Sequence, residues 1–207
     1  ISFFGAPVEY GDHAARACLS AVRMKRMEAI LNEHILRENL SPNPLLTRIG
    51  INTGEMVVGN MGTAQKMDYT MMGNSVNLAA RLEGVNKQYG TWILASEATR
   101  TEAGDQFLFR RLDRVRVVGI HEPVRLFELV DENENAEPAT HQAIEAFEEG
   151  LTLFDQREWD EAEKAFQRAL EARPDDGPST LYAKRCKEFK KKAPPANWDG
   201  VYNLSMK

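Results

Sequence analysis

Gln65-Lys66-Met67-Asp68-Tyr69-Thr70-Met71-Met72-Gly73-Asn74-Ser75-Val76-Asn77-Leu78-Ala79-Ala80-Arg81-Leu82-Glu83 is the stretch on which the reading of this chain turns. The run from Asp68 to Met72 predicts a short strand, Gly73-Asn74 a turn, and the run from Val76 to Tyr89 a helix. Asn77 and Arg81 are four residues apart, so on that helix they share a face, one turn from each other. Around them Val76, Leu78, Ala79, Ala80 and Leu82 are apolar or small. An Asn and an Arg at this spacing are ordinarily a solvated surface pair. Set in an apolar frame behind a lone acid, Asp68, they are candidate site residues.

Upstream of that stretch, Leu46 to Thr53 reads as a buried strand that turns at Gly54 into a second strand, Glu55 to Gly59. Gly54-Glu55-Met56-Val57-Val58-Gly59-Asn60 has the glycine spacing of a phosphate loop but lacks its Lys-Ser/Thr, so a β-hairpin is expected there. Earlier still, Asp12 is a plausible N-cap. Ala14, Ala17, Cys18, Ala21, Val22, Met24, Ala29, Ile30 and Leu31 recur at mostly helical spacing up to about Leu36, and Ser41-Pro42-Asn43-Pro44 breaks the pattern. Ile1 to Val8 is an apolar, β-prone run without an initiating Met, which reads as part of a longer polypeptide cut inside a domain.

Downstream, Trp92 to Ala95 reads as a strand, Ser96 as the cap of a short helix, and Phe107 to Val118 with Val124 to Val130 as a hairpin around Gly119 to Pro123. Strands and helices alternate without regular βαβ repeats, which predicts an α+β domain with its helices on one face of the sheet. The expected organisation is a first domain over 1–131, a polar linker over 132–138, a helical segment over 139–192 and a tail over 193–207. Gly150, Ala162, Phe166, Ala169 and Pro174 fall at the relative spacings of a tetratricopeptide repeat, with Trp159 just before the second helix. One repeat cannot bury its own apolar face, so it should pack on the first domain, on a third helix from about Ser179 to Lys191, or on a partner chain. Trp198 reads as an anchor against these helices or as part of a disordered end.

With 207 residues and a net charge of −5, the chain gives no general reason to expect nucleic acid or an anionic membrane as partner. Cys18 and Cys186 are far apart and in no metal-ligand spacing, which fits two unpaired thiols in a reducing, cytoplasmic setting. No run of about 18 apolar residues is present to span a bilayer, so any membrane anchor of the full protein is expected upstream. His13, His34, His121 and His141 are scattered, with no partner at ligand spacing. Lys187, Lys190, Lys191 and Lys192 form a basic cluster that reads as a solvated helix end rather than an anion site.

The residues from Gln65 to Glu83 resemble the signature of the class III adenylate and guanylate cyclases, and Phe3-Phe4-Gly5-Ala6-Pro7 resembles a strand end of the same family. The resemblance implies a ferredoxin-like cyclase domain, here lacking its first strands. It also implies a reaction in which the 3′-hydroxyl of a nucleoside triphosphate attacks its own α-phosphorus and pyrophosphate leaves. Arg81 matches the residue that stabilises negative charge growing on the phosphate, which a guanidinium fork can do. Asn77 matches the residue that orients the ribose, and Asp68 the residue that reads the purine. A carboxylate only accepts hydrogen bonds, so Asp68 suits the exocyclic amine of adenine and disfavours the carbonyl oxygen of guanine.

The same resemblance implies two divalent cations, Mg2+ or Mn2+, held by aspartates that would lie upstream of Ile1, together with a base-reading Lys. Asp12 reads as a helix cap, so no metal ligand is assigned within this chain. Many family members carry a Lys directly before the glycine at 119; here Val118 stands there and cannot carry charge, although Arg116 or Arg125 lies nearby. The expected function is that of an adenylate cyclase, a phosphorus-oxygen lyase converting ATP to 3′,5′-cyclic AMP. Its site is shared with a second protomer, a homodimer being the expected arrangement, and this piece alone is expected to be inactive. The helical tail offers a surface for a protein partner. Two other readings stay open: an inactive, cyclase-derived nucleotide-binding or regulatory module, and a guanylate cyclase.

Overall fold

A computed structural model of the chain describes residues 1–116, 123–195 and 197–203. The helix predicted after Asp12 is α1, His13–Arg37. Asp12 does not cap it through its side chain; its carboxylate instead accepts from Arg16 Nε at 2.7 Å. Strands β1 (Ile49–Ile51), β2 (Val57–Gly62) and β3 (Met67–Met72) follow, then α2 (Asn74–Tyr89), β4 (Ile93–Ser96) and α3 (Glu97–Ala103). The hydroxyl of Ser96 accepts from the Thr99 backbone N–H at 3.4 Å, the expected cap. Strands β5 (Phe107–Arg116) and β6 (Val124–Glu132) pair antiparallel, and a 3-10 turn at Asn133–Asn135 leads into α4 (Pro138–Asp155), α5 (Trp159–Ala172) and α6 (Gly177–Lys191). A two-residue strand β7, Tyr202–Asn203, lies parallel to β5.

The main sheet runs β1-β4-β6-β5-β7, and β2 with β3 forms a separate two-stranded sheet. This corrects three expectations. The strand predicted over Leu46 to Thr53 is only Ile49–Ile51, and Leu46 is exposed. β2 does not fold back on β1 but pairs with β3 over its full length, from Val57 opposite Met72 to Gly62 opposite Met67. Residues 1–8 are irregular, since no strand among the described residues lies beside them to complete a ladder. The Phe3 ring instead approaches Tyr69 of β3, at 6.0 Å between centroids.

A fourth correction concerns the layers. Helices cover both faces of the sheet, not one. Ala14, Cys18, Ala21 and Val22 of α1 pack with Ala103 of α3 on Ile51, Ile93, Ala95, Phe107 and Leu129. On the opposite face Leu82, Val85 and Tyr89 of α2 pack with α4, α5 and α6 on Leu94, Leu112, Val115 and Leu126. Successive residues of β4 point to opposite faces, so a strand covered on both sides is apolar at consecutive positions, and all four residues of β4 are buried.

The three C-terminal helices are thus continuous with the core. Phe147, Phe154, Phe166 and Tyr182 form its aromatic centre, with Phe147 and Tyr182 5.5 Å apart and Phe154 and Tyr182 5.0 Å apart in edge-to-face contact. Each such side chain, fully buried, contributes about 1.5 to 3 kcal/mol. Gly150 gives up its side-chain volume to the ring of Phe166, the only way α4 and α5 can approach this closely. Trp198 is partly buried and stacks its edge on Phe189 at 5.3 Å, the anchor reading of that residue. Cys18 and Cys186 are free and buried, and burial pushes both thiols up to about 12. At the end of α6, Lys190 donates to Glu163 at 2.6 Å and to Asp160 at 2.9 Å, so this part of the basic cluster is neutralised by acids of α5.

Candidate active site

The candidate residues are placed by two elements joined at Gly73. Asp68 stands near the start of β3, opposite Met61 of β2, on the hairpin that projects from the main sheet. Its side chain is 67% exposed, and Lys66 Nζ lies 3.9 Å from its carboxylate, an exposed pair that contributes little to stability. A nearby acceptor-only group with a weak partner is free to change partners.

α2 begins directly after Gly73 and is seated on the sheet at three points. Asn52 Nδ2 donates to the Ser75 carbonyl at 3.0 Å at its first turn. Gly50 of β1 lies against its middle: a Cβ there would stand 2.2 Å from the Ala79 carbonyl oxygen and 2.4 Å from the Glu83 nitrogen, so only glycine lets helix and strand approach this closely. Asn86, fully buried, donates to the Ile49 carbonyl at 2.9 Å and accepts from the Thr91 hydroxyl at 2.9 Å. With Leu82, Val85, Asn86 and Tyr89 turned inward, the helical period sends Asn77 outward and leaves Arg81 half-buried at the edge of the packed face. Among the described residues neither of those two side chains has a hydrogen-bond or ion-pair partner. An amide and a guanidinium one turn apart, anchored by a rigid helix and unengaged, are competent to bind a polyanionic, hydroxylated ligand.

Asp68 and Asn77 are exposed and Arg81 is half-buried. Two clefts, of about 440 and 250 Å³, lie on the C-terminal helices and at their seam with the sheet, and neither is lined by Asp68, Asn77 or Arg81. Among the described residues no group of three or more His, Cys, Asp or Glu is arranged to hold a metal ion. Val118, which replaces the expected Lys, lies outside the described residues.

Several residues that matter to this site carried no readable signal in sequence. Asn86 looked like one more polar residue of an amphipathic helix. Asp113, which simple alternation along β5 turns to the face opposite its apolar neighbour Leu112, is buried, accepting from Tyr89 Oη at 2.5 Å and from Arg185 Nη1 at 2.8 Å. The register shift between Arg111 and Asp113 breaks the simple alternation that a strand reading assumes.

Residues 3–130 match the family of adenylate and guanylate cyclase catalytic domains. That is more than half of the chain, and the chain belongs to this family. It is 35% identical over 144 residues to the terminal-differentiation-specific adenylate cyclase of Dictyostelium discoideum, covering 68% of this chain and 7% of that protein. It is 38% identical over 130 residues to adenylate cyclase 1 of Rhizobium meliloti, covering 62% of this chain and 19% of that one. The chain therefore spans a small part of these relatives' lengths. Among solved structures, the adenylyl cyclase CyaB from P. aeruginosa superposes with a TM-score of 0.57 at 32% identity, over 65% of this chain and 68% of that one. The guanylyl cyclase Cya2 superposes nearly as well, at 0.55 and 33%, over 65% and 66%. The cyclase fold is thus established, and fold similarity alone does not choose between adenine and guanine.

Proposed function

We propose that this chain supplies one half of an adenylate cyclase site, at which the 3′-hydroxyl of ATP displaces pyrophosphate from the α-phosphorus to give 3′,5′-cyclic AMP. The observation that carries the reading is the pair Asn77 and Arg81, held on a helix pinned to β1 and left without partners among the described residues. In that geometry Arg81 meets the α-phosphate oxygens as their charge grows, stabilising the transition state more than the bound substrate. Asn77, one turn earlier, holds the ribose by its amide. Asp68 accepts from the adenine amine, and its acceptor-only chemistry is the reason to favour ATP over GTP.

An open face, outside both clefts, fits a site whose second wall comes from another protomer. The two divalent cations implied by family membership do not fit the acids described here, because Asp12 is engaged by Arg16 and no three His, Cys, Asp or Glu side chains gather to hold a metal among the described residues. The work of this half is therefore base reading, ribose positioning and charge stabilisation. The helices α4 and α5, crossing at Gly150 and Phe166, support a tetratricopeptide-like reading of the segment after residue 138, with a protein partner on its outer surface.

The test is complementation. The chain is mixed with an intact family domain whose own Asn and Arg positions are substituted, and cyclic AMP and cyclic GMP are measured with Mg2+ or Mn2+. Cyclic AMP is expected from the mixture and not from either component. A demonstrably mixed dimer that makes no product overturns the proposal, and cyclic GMP as the main product transfers it to a guanylate cyclase.

A further inference from the structure

The C-terminal helices do more than cover the sheet: they grip the end of the helix that carries Asn77 and Arg81. Gly177, the first residue of α6, lies directly on the last turn of α2. A Cβ on Gly177 would stand 2.5 Å from the Tyr89 carbonyl oxygen and 2.9 Å from the Gly90 Cα. Beside this backbone contact, Tyr89 Oη donates to Asp113 Oδ2 at 2.5 Å, and the same oxygen accepts from Arg185 Nη1 of α6 at 2.8 Å. Tyr89, Asp113 and Arg185 are all buried, and the Arg185 guanidinium lies 4.7 Å from the centroid of the Tyr182 ring. The hydroxyl of Tyr182 in turn donates to the Leu112 carbonyl at 3.0 Å.

The start of α6 cannot easily yield. Its cap, Asp176, accepts through both carboxylate oxygens from Arg110 Nη1 at 2.8 Å, and Arg110 is also paired with Glu128. This fixes α6 to β5 and β6, the centre of the sheet. α2 rests through Ala79, Leu82, Glu83 and Asn86 on β1, at the sheet edge. From Tyr89 back to Arg81 is about 12 Å along a helix that behaves as a rod over that span. Gly177 bears on the C-terminal end of that rod, at the Tyr89 carbonyl, so a push there is carried along the helix axis and shifts Arg81, whose neighbours Ala79 and Glu83 lie on Gly50.

We propose that the C-terminal segment is a positioning element for the reaction, with Gly177, Tyr89, Asp113 and Arg185 as the positioning residues that set where Arg81 stands. The family match ends at residue 130, so α4 to α6 lie beyond the region it covers. The inference rests on the reading of Arg81 given above.

The experiment is a double-mutant cycle in the full-length protein, with Gly177→Ala and Arg81→Ala separately and together. Alanine is a good helix former at this position, so the substitution acts through the contact with α2. Gly177→Ala is expected to lower kcat about tenfold with KM for ATP within about twofold, since a misplacement near 1 Å carries a penalty of up to about 10² and Asp68, on the separate hairpin, is undisturbed. In the Arg81→Ala background the same substitution should change kcat less than about twofold, because the group it moves is gone. An equal drop in both backgrounds means a merely structural role and overturns the proposal, as does no drop in either. Tyr89→Phe, which removes one hydroxyl, is the companion variant should Gly177→Ala fail to fold, with the same two outcomes. If Arg81→Ala alone leaves turnover intact, the catalytic reading fails, and amide exchange over 85–89 still decides the grip: faster exchange in Gly177→Ala supports it, unchanged exchange refutes it.

Discussion

Arg81 occupies the boundary between a packed helix face and the exposed surface, a position that suits the charge-stabilising role proposed for it. Buried fully, it would need a permanent counter-ion; exposed fully, it would be screened by water and lose most of its effect on charge in a transition state. Half-burial without a partner among the described residues leaves it oriented by its stem and available at its head. Loss of one preorganised donor typically lowers turnover by roughly 10² to 10³. On the proposed cyclase reading, Arg81→Ala is expected to show that loss in kcat, measured as cyclic AMP formed at saturating ATP in the completed dimer, with only a small change in thermal stability because no hydrogen bond or ion pair among the described residues is removed. A loss of tenfold or less would make Arg81 a surface residue. Asp68 is legible in a different way: its acceptor-only chemistry is what supports the base-reading role proposed for it, while its exposed position on a projecting hairpin gives no geometry by itself.

At the scale of elements, α2 is the part that sequence describes best and its seating the part that sequence describes least. The helical period, the glycine turn before it and the Asn77–Arg81 spacing are local properties, and all three are present. What pins the helix to the sheet is non-local: Gly50 and Ile49 on one strand meet it only once the sheet has formed. Asn86 is the clearest case. Its side chain satisfies the carbonyls of Ile49, Leu82 and Glu83 and the hydroxyl of Thr91, and none of these partners is marked by spacing except the two on its own helix. Asn86→Ala removes the shared amide and leaves buried polar groups unpaired, with a cost of about 1 to 3 kcal/mol. The expected result is a fall in the urea midpoint, accompanied by a fall in kcat if the seating of α2 governs Arg81. The pairing of β2 with β3 rather than β1 is by contrast local, closed by the turn at 63–66, and it went unread because both arrangements join adjacent apolar runs.

At the scale of the molecule, the seam between the sheet and the C-terminal helices decides whether the chain behaves as one cooperative body. The apolar part of that seam could be guessed from the amphipathic helices, but its polar heart could not, because Arg110 and Asp113 sit in a strand where charged residues ordinarily face water. Arg110 is 1% exposed and lies between Glu128 of β6 and Asp176 of the helical segment. Burial by itself would push the Asp176 carboxyl up; the charge of Arg110, with hydrogen bonds from Arg110 and Ser179, outweighs it and holds the group below its ordinary value of 3.8. A carboxyl whose folded pKa lies below its unfolded one contributes stability that is complete above the unfolded value and is lost as pH falls through the folded one. The wild-type chain should therefore hold a steady urea midpoint at neutral pH and lose stability as pH drops below about 3.8. Asp176→Ala should cost about 3 to 5 kcal/mol at pH 7, since Arg110 then keeps only Glu128 in a buried site. Most of the Asp176 share of the acid loss should vanish in that variant, so the gap between the two proteins narrows from pH 7 toward pH 3. If the gap instead stays constant across that range, Asp176 acts there as a helix cap and not as a charge. If α4 to α6 melt in a separate step from the sheet in either protein, the seam does not join them into one unit, and a grip on α2 by α6 would lack the rigid base it needs.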